Sequence, residues 1–291
     1  QEAVELLADL EDAEVLAGNQ SLGIVMANRL ATPDHLVDLN GIEELFGIEV
    51  ADGSVSIGAM TRHRTIERSE ALAGRVAMLP EAAEQIAGPT VRNRGTIGGS
   101  LAEADPAGNY PTALTALEGT LHIVSADGRR TVDASSFFLA YMFTDLREDE
   151  LIERVTIDTD PFPPSRTGMA FLELKRAAQT WPTVSAAAAV RVDDPDRDDP
   201  LVEDVRLALA NVADVPLRVT DAESSLEGEP LSEAGLDAAA ETVRDATDPE
   251  GELHANRDFK RDVAGTYARR AVETAHERAL SVAQTRGEHR A

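Results

Sequence analysis

The chain has 291 residues, 43% of them hydrophobic, enough for two domains with a substantial core. It carries 53 acidic against 27 basic residues, a net charge of −26, and such a field repels nucleic acid and anionic membranes. With no cysteine it can form no disulfide, thiolate zinc site, cysteine nucleophile or cysteine-held iron–sulfur cluster.

"EAVELLADL" (Glu2–Leu10) has the spacing of an amphipathic helix, and "EVLAG" (Glu14–Gly18) reads as a short buried strand ending in a turn. "SLGIVMANRLA" then reads as a helix and "HLVDL" (His35–Leu39) as a strand, a small βαβ-like unit. Asp52-Gly53 between two alternating runs predicts a hairpin, and Asp127-Gly128 repeats the signal. "AAEQIAG" (Ala82–Gly88) is a predicted helix ended by Gly88-Pro89. Arg92–Ser100 then reads as a glycine loop and "PAGNYPTALTAL" as the next helix, with Pro106 suited to its first turn. "DPFPPSR" (Asp160–Arg166), with three prolines in seven residues, is the predicted linker. Beyond it, "GMAFLELKRA", "VSAAAAVRV" and "VRLALANVA" read as three strands, with "DDPDRDDP" a solvated acidic tip between the second and third. "LSEAGLDAAAETVRDA" reads as a helix. A longer helix follows, in which Phe259, Val263, Tyr267, Ala271, Ala275 and Ala279 form a stripe expected to pack on the core or another helix.

The acids are spread along the whole chain, and only two lysines occur, Lys175 and Lys260. This predicts a folded protein adapted to molar salt, where the Debye length falls to about 3 Å and self-repulsion is screened. No apolar run approaches the roughly 18 residues of a membrane span, and no signal peptide is visible, so a cytoplasmic protein is expected. Gln1 is not expected to be the native start.

Two glycine-bearing segments stand out, "LAGNQSLG" (Leu16–Gly23) and "RGTIGGS" (Arg94–Ser100), each followed by a predicted helix. Glycine lets backbone amides approach a phosphate, and a helix N-terminus adds a favourable dipole. Ser21, Thr96 and Ser100 would add hydroxyls, and Arg92 and Arg94 would reverse the local field. Neither segment is GxGxxG or GxxxxGK[ST], which excludes the Rossmann and P-loop readings. The residue chemistry reaches as far as a phosphate or dinucleotide binder, with a pair of tight turns as the open alternative. His35, His63, His122, His254, His276 and His289 show no metal spacing and read as structural or surface residues. No catalytic acid–base pair is evident.

"VLAGNQSL", "RLATPDHLVDLN", "VRNRGTIGGSLAEADPAGNYPTAL", "LELKRAA" and "HANRDFKRDVAGTYARRAV", in that order, resemble the FAD-binding medium subunit of molybdenum hydroxylases, the carbon monoxide dehydrogenase and xanthine dehydrogenase family. The resemblance covers nearly the whole chain, and the AGNQS and TIGGS segments are specific as a pair. It implies an α+β fold: a two-part FAD-binding domain of the PCMH type over residues 1–160, with parts of about 1–50 and 51–160. A small C-terminal domain over 167–285 would follow, with a three-stranded antiparallel sheet and helices. The strand that precedes the first helix in the family is missing, so a trimmed chain is expected. The resemblance also implies an oxidoreductase subunit with FAD as cofactor and substrate oxidation on a partner chain. A molybdenum-cofactor large subunit would oxidise the substrate, a two-cluster iron–sulfur small subunit would pass the electrons on, and FAD would deliver them to an external acceptor. A dimer of heterotrimers is the implied assembly. The lack of cysteine fits a chain that carries only the flavin, and argues against the branch whose flavin subunit holds an extra cluster.

Carried over residue by residue, the resemblance has Leu16, Ala17, Gly18, Asn19, Gln20, Ser21 and Leu22 wrap the FAD diphosphate from one side. Thr96, Ile97, Gly98, Gly99 and Ser100 would close it from the other, so that a side chain at Gly98 is expected to expel FAD with the fold kept. Ile86 matches a position packed near the flavin or its chain. Asn109 stands where the family has an aspartate, keeping an acceptor and losing a charge. Ile152 matches a backbone contact to the nucleotide. Lys175 matches a lysine near the flavin ring, where it would stabilise the anionic reduced flavin; an exposed strand lysine is the competing reading. Trp181 falls near a Tyr/Phe position over the isoalloxazine, with Thr180 replacing an aspartate; the competing reading is a core or interface anchor. Two other functions compete. A self-sufficient flavin oxidase needs its own base and often a His or Cys tether, and neither is found. A non-catalytic assembly subunit that has lost flavin gains room from Asn109 and Thr180, and the intact glycine segments oppose it.

Overall fold

In the computed structural model, which describes residues 1–288, α1 (Glu2–Asp9) places Ala3, Val4 and Leu7 on one face. They bury against Val37, Leu39, Leu45, Met60 and Leu151. β1 (Ala13–Leu16) runs parallel to β2 (His35–Asp38), joined through α2 (Leu22–Ala27), so the expected βαβ unit forms. β3 (Ile48–Ala51) and β4 (Ser54–Gly58) make the first hairpin, with Gly53 at φ 76° in its turn.

A helical layer follows: α3 (His63–Glu67), α4 (Glu70–Ala73), α5 (Met78–Gln85), α6 (Pro89–Arg92), α7 (Ile97–Glu103) and α8 (Asn109–Ala116). β5 (Thr120–Ser125) and β6 (Gly128–Asp133) form the second predicted hairpin. After α9 (Ala134–Phe137) come the short β7 (Phe138–Ala140) and β8 (Phe143–Thr144), and β9 (Leu151–Asp158) returns through the middle. The sheet order is β3-β4-β9-β5-β6, antiparallel throughout. Val55, Ile57, Leu121, Ile123, Val155 and Ile157 alternate toward the helices and meet Leu79, Ile97, Leu101, Tyr110 and Leu114 in one core.

Two local expectations are corrected. Residues 92–100 are not an open glycine loop. Thr96 caps α7 by accepting the Gly99 amide at 3.1 Å, so Gly98 and Gly99 form its first turn. Glycine's poor helix propensity hides such a start, and packing overrides it. α8 begins at Asn109 behind Gly108, so Pro106 precedes the helix and Pro111 occupies the first turn, where a missing N–H is tolerated.

The C-terminal sheet contains the three predicted strands, β10 (Thr167–Lys175), β11 (Pro182–Val192) and β12 (Val202–Ala210), plus a fourth of two residues, β13 (Leu217–Arg218). α10 (Thr220–Leu226), unforeseen in the sequence, precedes α11 (Glu233–Ala246) and α12 (Arg257–Glu288). Of the α12 stripe, Val263, Ala271 and Ala275 bury in the sheet–helix core, Ala279 is buried, Tyr267 is half-buried and Phe259 remains exposed. The opposite sheet face, through Met169, Phe171, Ala187, Ala189 and Ala208, joins the core of the five-stranded sheet. Among the described residues no helix is long and apolar enough to cross a membrane, and no group of acids and histidines could hold a metal ion. His289 lies outside the described residues.

Candidate cofactor site

β1 delivers the chain into a turn in which Asn19 adopts a left-handed φ of 59°. The amides of Gly18, Asn19, Gln20, Ser21 and Leu22 donate to no acceptor among the described residues. The carbonyl side of the turn is tied down instead: Gln20 Nε2 donates to Gly18 O at 2.9 Å, and Asn40 Nδ2 to Ala17 O at 3.0 Å. A run of free amides containing a left-handed residue is a concavity for an anion. Glycine is required at 18, because a Cβ there would lie 2.5 Å from Arg94 O and 2.6 Å from Gly95 Cα. The two glycine segments are therefore in contact.

The second segment presents a surface rather than donors. Ile97 and Gly98 donate their amides to Thr61 O at 3.1 Å and Ala59 O at 2.8 Å, and the Gly99 amide goes to the Thr96 cap. Gly98 is buried with its Cβ direction blocked by Ala59 Cβ at 2.6 Å. A side chain at 98 thus strikes the core, and the expectation that only the cofactor would suffer is corrected. Gly99 is half-buried, and an added Cβ would stand 2.9 Å from the capping Thr96 hydroxyl and 3.8 Å from Ala17 Cβ.

Arg92 is also committed internally, to Glu67 at 2.9 Å and to the carbonyls of Ile86 at 2.9 Å and Ala87 at 3.0 Å. Its guanidinium is thus turned to internal partners and is not offered to a phosphate. Arg94 is exposed, and Arg62 stands beside it, donating to Asn40 Oδ1 at 2.6 Å and to the Arg94 carbonyl. Burial and the neighbouring Arg94 charge lower the pKa of Arg62. Sequence reasoning missed Arg62 because its partners are distant along the chain and no motif marks it. Burial raises the pKa of Glu103, at the end of α7, and the nearby Ser21 hydroxyl opposes the rise. His63 is buried, its ring 5.3 Å from Tyr110, and is pushed down to about 3 by burial, then by Arg62 and Arg92. It is neutral and internal.

A second cluster lies where α5 and α8 meet β10. Asn109 is buried and donates to Ala82 O at 2.9 Å. Lys175 donates to the Gln85 carbonyl and pairs with Glu173 at 2.6 Å, its side chain only 12% exposed, so it is no exposed strand lysine. Burial raises the Glu173 pKa, opposed first by the Lys175 ammonium and then by the nearby Asn109 amide, while neither carboxylate oxygen makes a well-aligned hydrogen bond. An aspartate at 109 would set a second carboxylate against Glu173, which the neutral amide avoids. Ile86 is the C-cap just beyond α5, and the turn at Ala87 and Gly88 lies against Gln179 of the β10–β11 loop. Trp181, in the same loop, is 57% exposed, so it is no core anchor. Ile152 is buried in β9. The adjacent Glu153 carbonyl accepts the Ala59 amide at 3.0 Å, which brings the Ile152 backbone close to the start of α7. The predicted residues thus fall into two groups, 16–22 with 96–100 and Ile152, and Ile86 with Asn109, Lys175 and Trp181. Asn40, Arg62 and Glu173 are the additions.

Comparison with known proteins gives this arrangement its class. The FAD binding domain in molybdopterin dehydrogenase matches residues 1–159, and the CO dehydrogenase flavoprotein C-terminal domain matches residues 169–275. The chain belongs to this family of FAD-binding subunits of molybdenum hydroxylases. It is 38% identical to the carbon monoxide dehydrogenase medium chain of Hydrogenophaga pseudoflava, over 94% of this chain and 93% of that one. It is 34% identical to the nicotine 6-hydroxylase medium subunit of Paenarthrobacter nicotinovorans, over 94% and 93%. A solved carbon monoxide dehydrogenase from Hydrogenophaga pseudoflava superposes with a TM-score of 0.90 over 95% of this chain and 94% of its own, at 38% identity. The protein is a medium, FAD-carrying subunit of this oxidoreductase type.

Proposed function

We propose that this chain binds FAD through the free amides of Gly18–Leu22, with Gly99 closing the diphosphate site, Arg62 and Arg94 offsetting the acidic field, and Lys175 and Trp181 at the ring end. The observation that carries this is the row of unpaired amides from Gly18 to Leu22, set around the left-handed Asn19 and against the second glycine segment, a concavity that an anionic diphosphate would fill. Bound FAD would accept electrons from a partner and release them to an external acceptor. The chain's own residues bind and orient it and hold no group that attacks a substrate. Asn109 and Ile152 steady the site from α8 and β9.

Its partners are a molybdenum-cofactor large subunit and a two-cluster iron–sulfur small subunit, in a dimer of heterotrimers. Residues 1–160 and 167–285 act as two domains that share one core. The setting is a cytoplasm at high salt. Both lysines are internal and ion-paired, Lys175 with Glu173 and Lys260 with Glu252 at 2.7 Å, and this supports the salt reading.

The purified chain should carry flavin absorbance, be bleached by dithionite and recover with an artificial acceptor. Alone it should oxidise no purine, aldehyde or carbon monoxide. With both partner subunits, rapid mixing with the physiological substrate should bleach the flavin band. Substrate turnover by the isolated chain without molybdenum would instead favour the self-sufficient oxidase. A chain that takes up no FAD at any concentration would favour the assembly role.

A further inference from the structure

The inner face of β10 and β11 changes character along its length. Met169 and Phe171, with Ala187 and Ala189 on the neighbouring strand, are apolar and join the shared core. Further along the same face come Glu173 and Lys175, and Ser185 sits directly opposite Glu173 in the register. The Glu173 side chain is 1% exposed, and Ser185 is fully buried with its hydroxyl unpartnered. A carboxylate this deep weakens a core that an apolar side chain would stabilise better. It therefore needs a reason beyond packing.

The geometry supplies one. Glu173 grips the Lys175 ammonium at 2.6 Å, and the same ammonium donates to the carbonyl of Gln85, the last residue of α5. A helix C-terminus favours a cation, and a lysine stem is long and flexible unless tied. The geometry points to Glu173 as a positioning residue for electron transfer, which holds the Lys175 ammonium at the end of α5 and balances its charge, so tempering how strongly the site favours reduced over oxidised flavin. This rests on the proposed place of Lys175 beside the flavin ring. The burial that raises the Glu173 pKa also removes water screening, so both charges act strongly on their neighbours. Reduction adds two electrons and one proton to FAD. In the assay the electrons come from dithionite and the proton from solvent, and Glu173 donates none.

The test is the flavin midpoint potential of the full chain loaded with FAD, titrated with dithionite against a reference dye at fixed pH and salt. Circular dichroism and FAD occupancy are followed alongside. Glu173→Gln keeps the shape and removes the charge, leaving the ammonium unbalanced. A positive shift is expected, roughly a tenfold change in the reduced-to-oxidised affinity ratio, which is about 30 mV for a two-electron couple. Lys175→Gln should shift the potential the opposite way. If Lys175→Gln moves the potential and Glu173→Gln does not, the proposal is overturned while the flavin placement stands. If neither moves it with FAD bound, the placement of Lys175 fails and the proposal with it. Should Glu173→Gln lose FAD, the double variant Glu173→Gln/Lys175→Gln decides. A potential back near wild type supports charge balance, and one equal to that of Lys175→Gln alone overturns it.

Discussion

Gly98 and Gly99 are adjacent and chemically identical, yet one faces the core and the other the candidate diphosphate site. The difference is set by what a Cβ would meet: Ala59 side chain and backbone, from 2.6 Å, at Gly98, and only the Thr96 hydroxyl at 2.9 Å, with Ala17 beyond it, at Gly99. Gly99→Val should lower FAD affinity roughly 100-fold, about 2.7 kcal/mol, and lower stability by about 1 kcal/mol as the Thr96 cap, 2.9 Å from the added Cβ, gives way. Gly98→Val should instead destabilise the chain by about 2 kcal/mol or more through overpacking. Equilibrium dialysis of FAD beside thermal melts separates the two, and a Gly99→Val chain with wild-type FAD affinity would remove Gly99 from the site. The glycine pair was legible in the sequence and its polarity was not, because the deciding contact comes from a strand end far away. Arg92 misleads for the same reason: next to a glycine run it looks like a phosphate ligand, and Glu67 with two carbonyls claims it.

Elements fixed by local chemistry were readable. Asp-Gly turns placed both hairpins of the five-stranded sheet, since only a residue tolerant of positive φ closes so tight a turn. α10 was missed because its inward face carries an acid. Glu223 is buried, accepts the Leu207 amide at 2.7 Å and pairs with Arg218 at 2.8 Å, which breaks the apolar periodicity a helix usually shows. A comparable clamp joins β6 to the start of β9. Arg130 donates from Nε and Nη2 to the two oxygens of Glu150, each at 2.7 Å. That bidentate pair holds the Glu150 carboxyl below its usual pKa, so its stabilisation is complete above about pH 4.3 and fades as pH falls through the lowered value. Glu150→Gln should cost about 2 kcal/mol at neutral pH, and the gap to wild type should close in acid. Urea midpoints across pH test this, and a gap that stays constant into acid would place the stabilisation elsewhere.

At the scale of the whole molecule, charge is the dominant unbalanced quantity. Both lysines are internal, with side chains 12% and 1% exposed, so the exposed side-chain ammonium is absent from the described surface and arginine carries its positive charge. Against a net charge of −26, added salt has two opposing effects. It weakens exposed ion pairs such as Arg257 with Asp248, each of which contributes at most about 1 kcal/mol. It also screens the repulsion among the excess acids, as the Debye length shrinks from about 30 Å at 0.01 M to about 3 Å at 1 M. The excess acids outnumber the pairs that salt can loosen without unfolding the core, so screening should win. The melting temperature should climb steadily from low to molar salt, alike for sodium and potassium chloride. The acidic tip between β11 and β12 offers an internal control. Asp194, Asp196, Asp198 and Asp199 crowd a short loop, while Asp193 accepts the Leu201 amide at 2.7 Å and belongs to the fold. Replacing those four by asparagine should raise the melting temperature at low salt and flatten the climb, leaving the molar-salt value nearly unchanged. A flat or falling curve for the wild type would remove the high-salt reading, and an unaltered slope in the asparagine variant would show that the repulsion resides elsewhere on the surface.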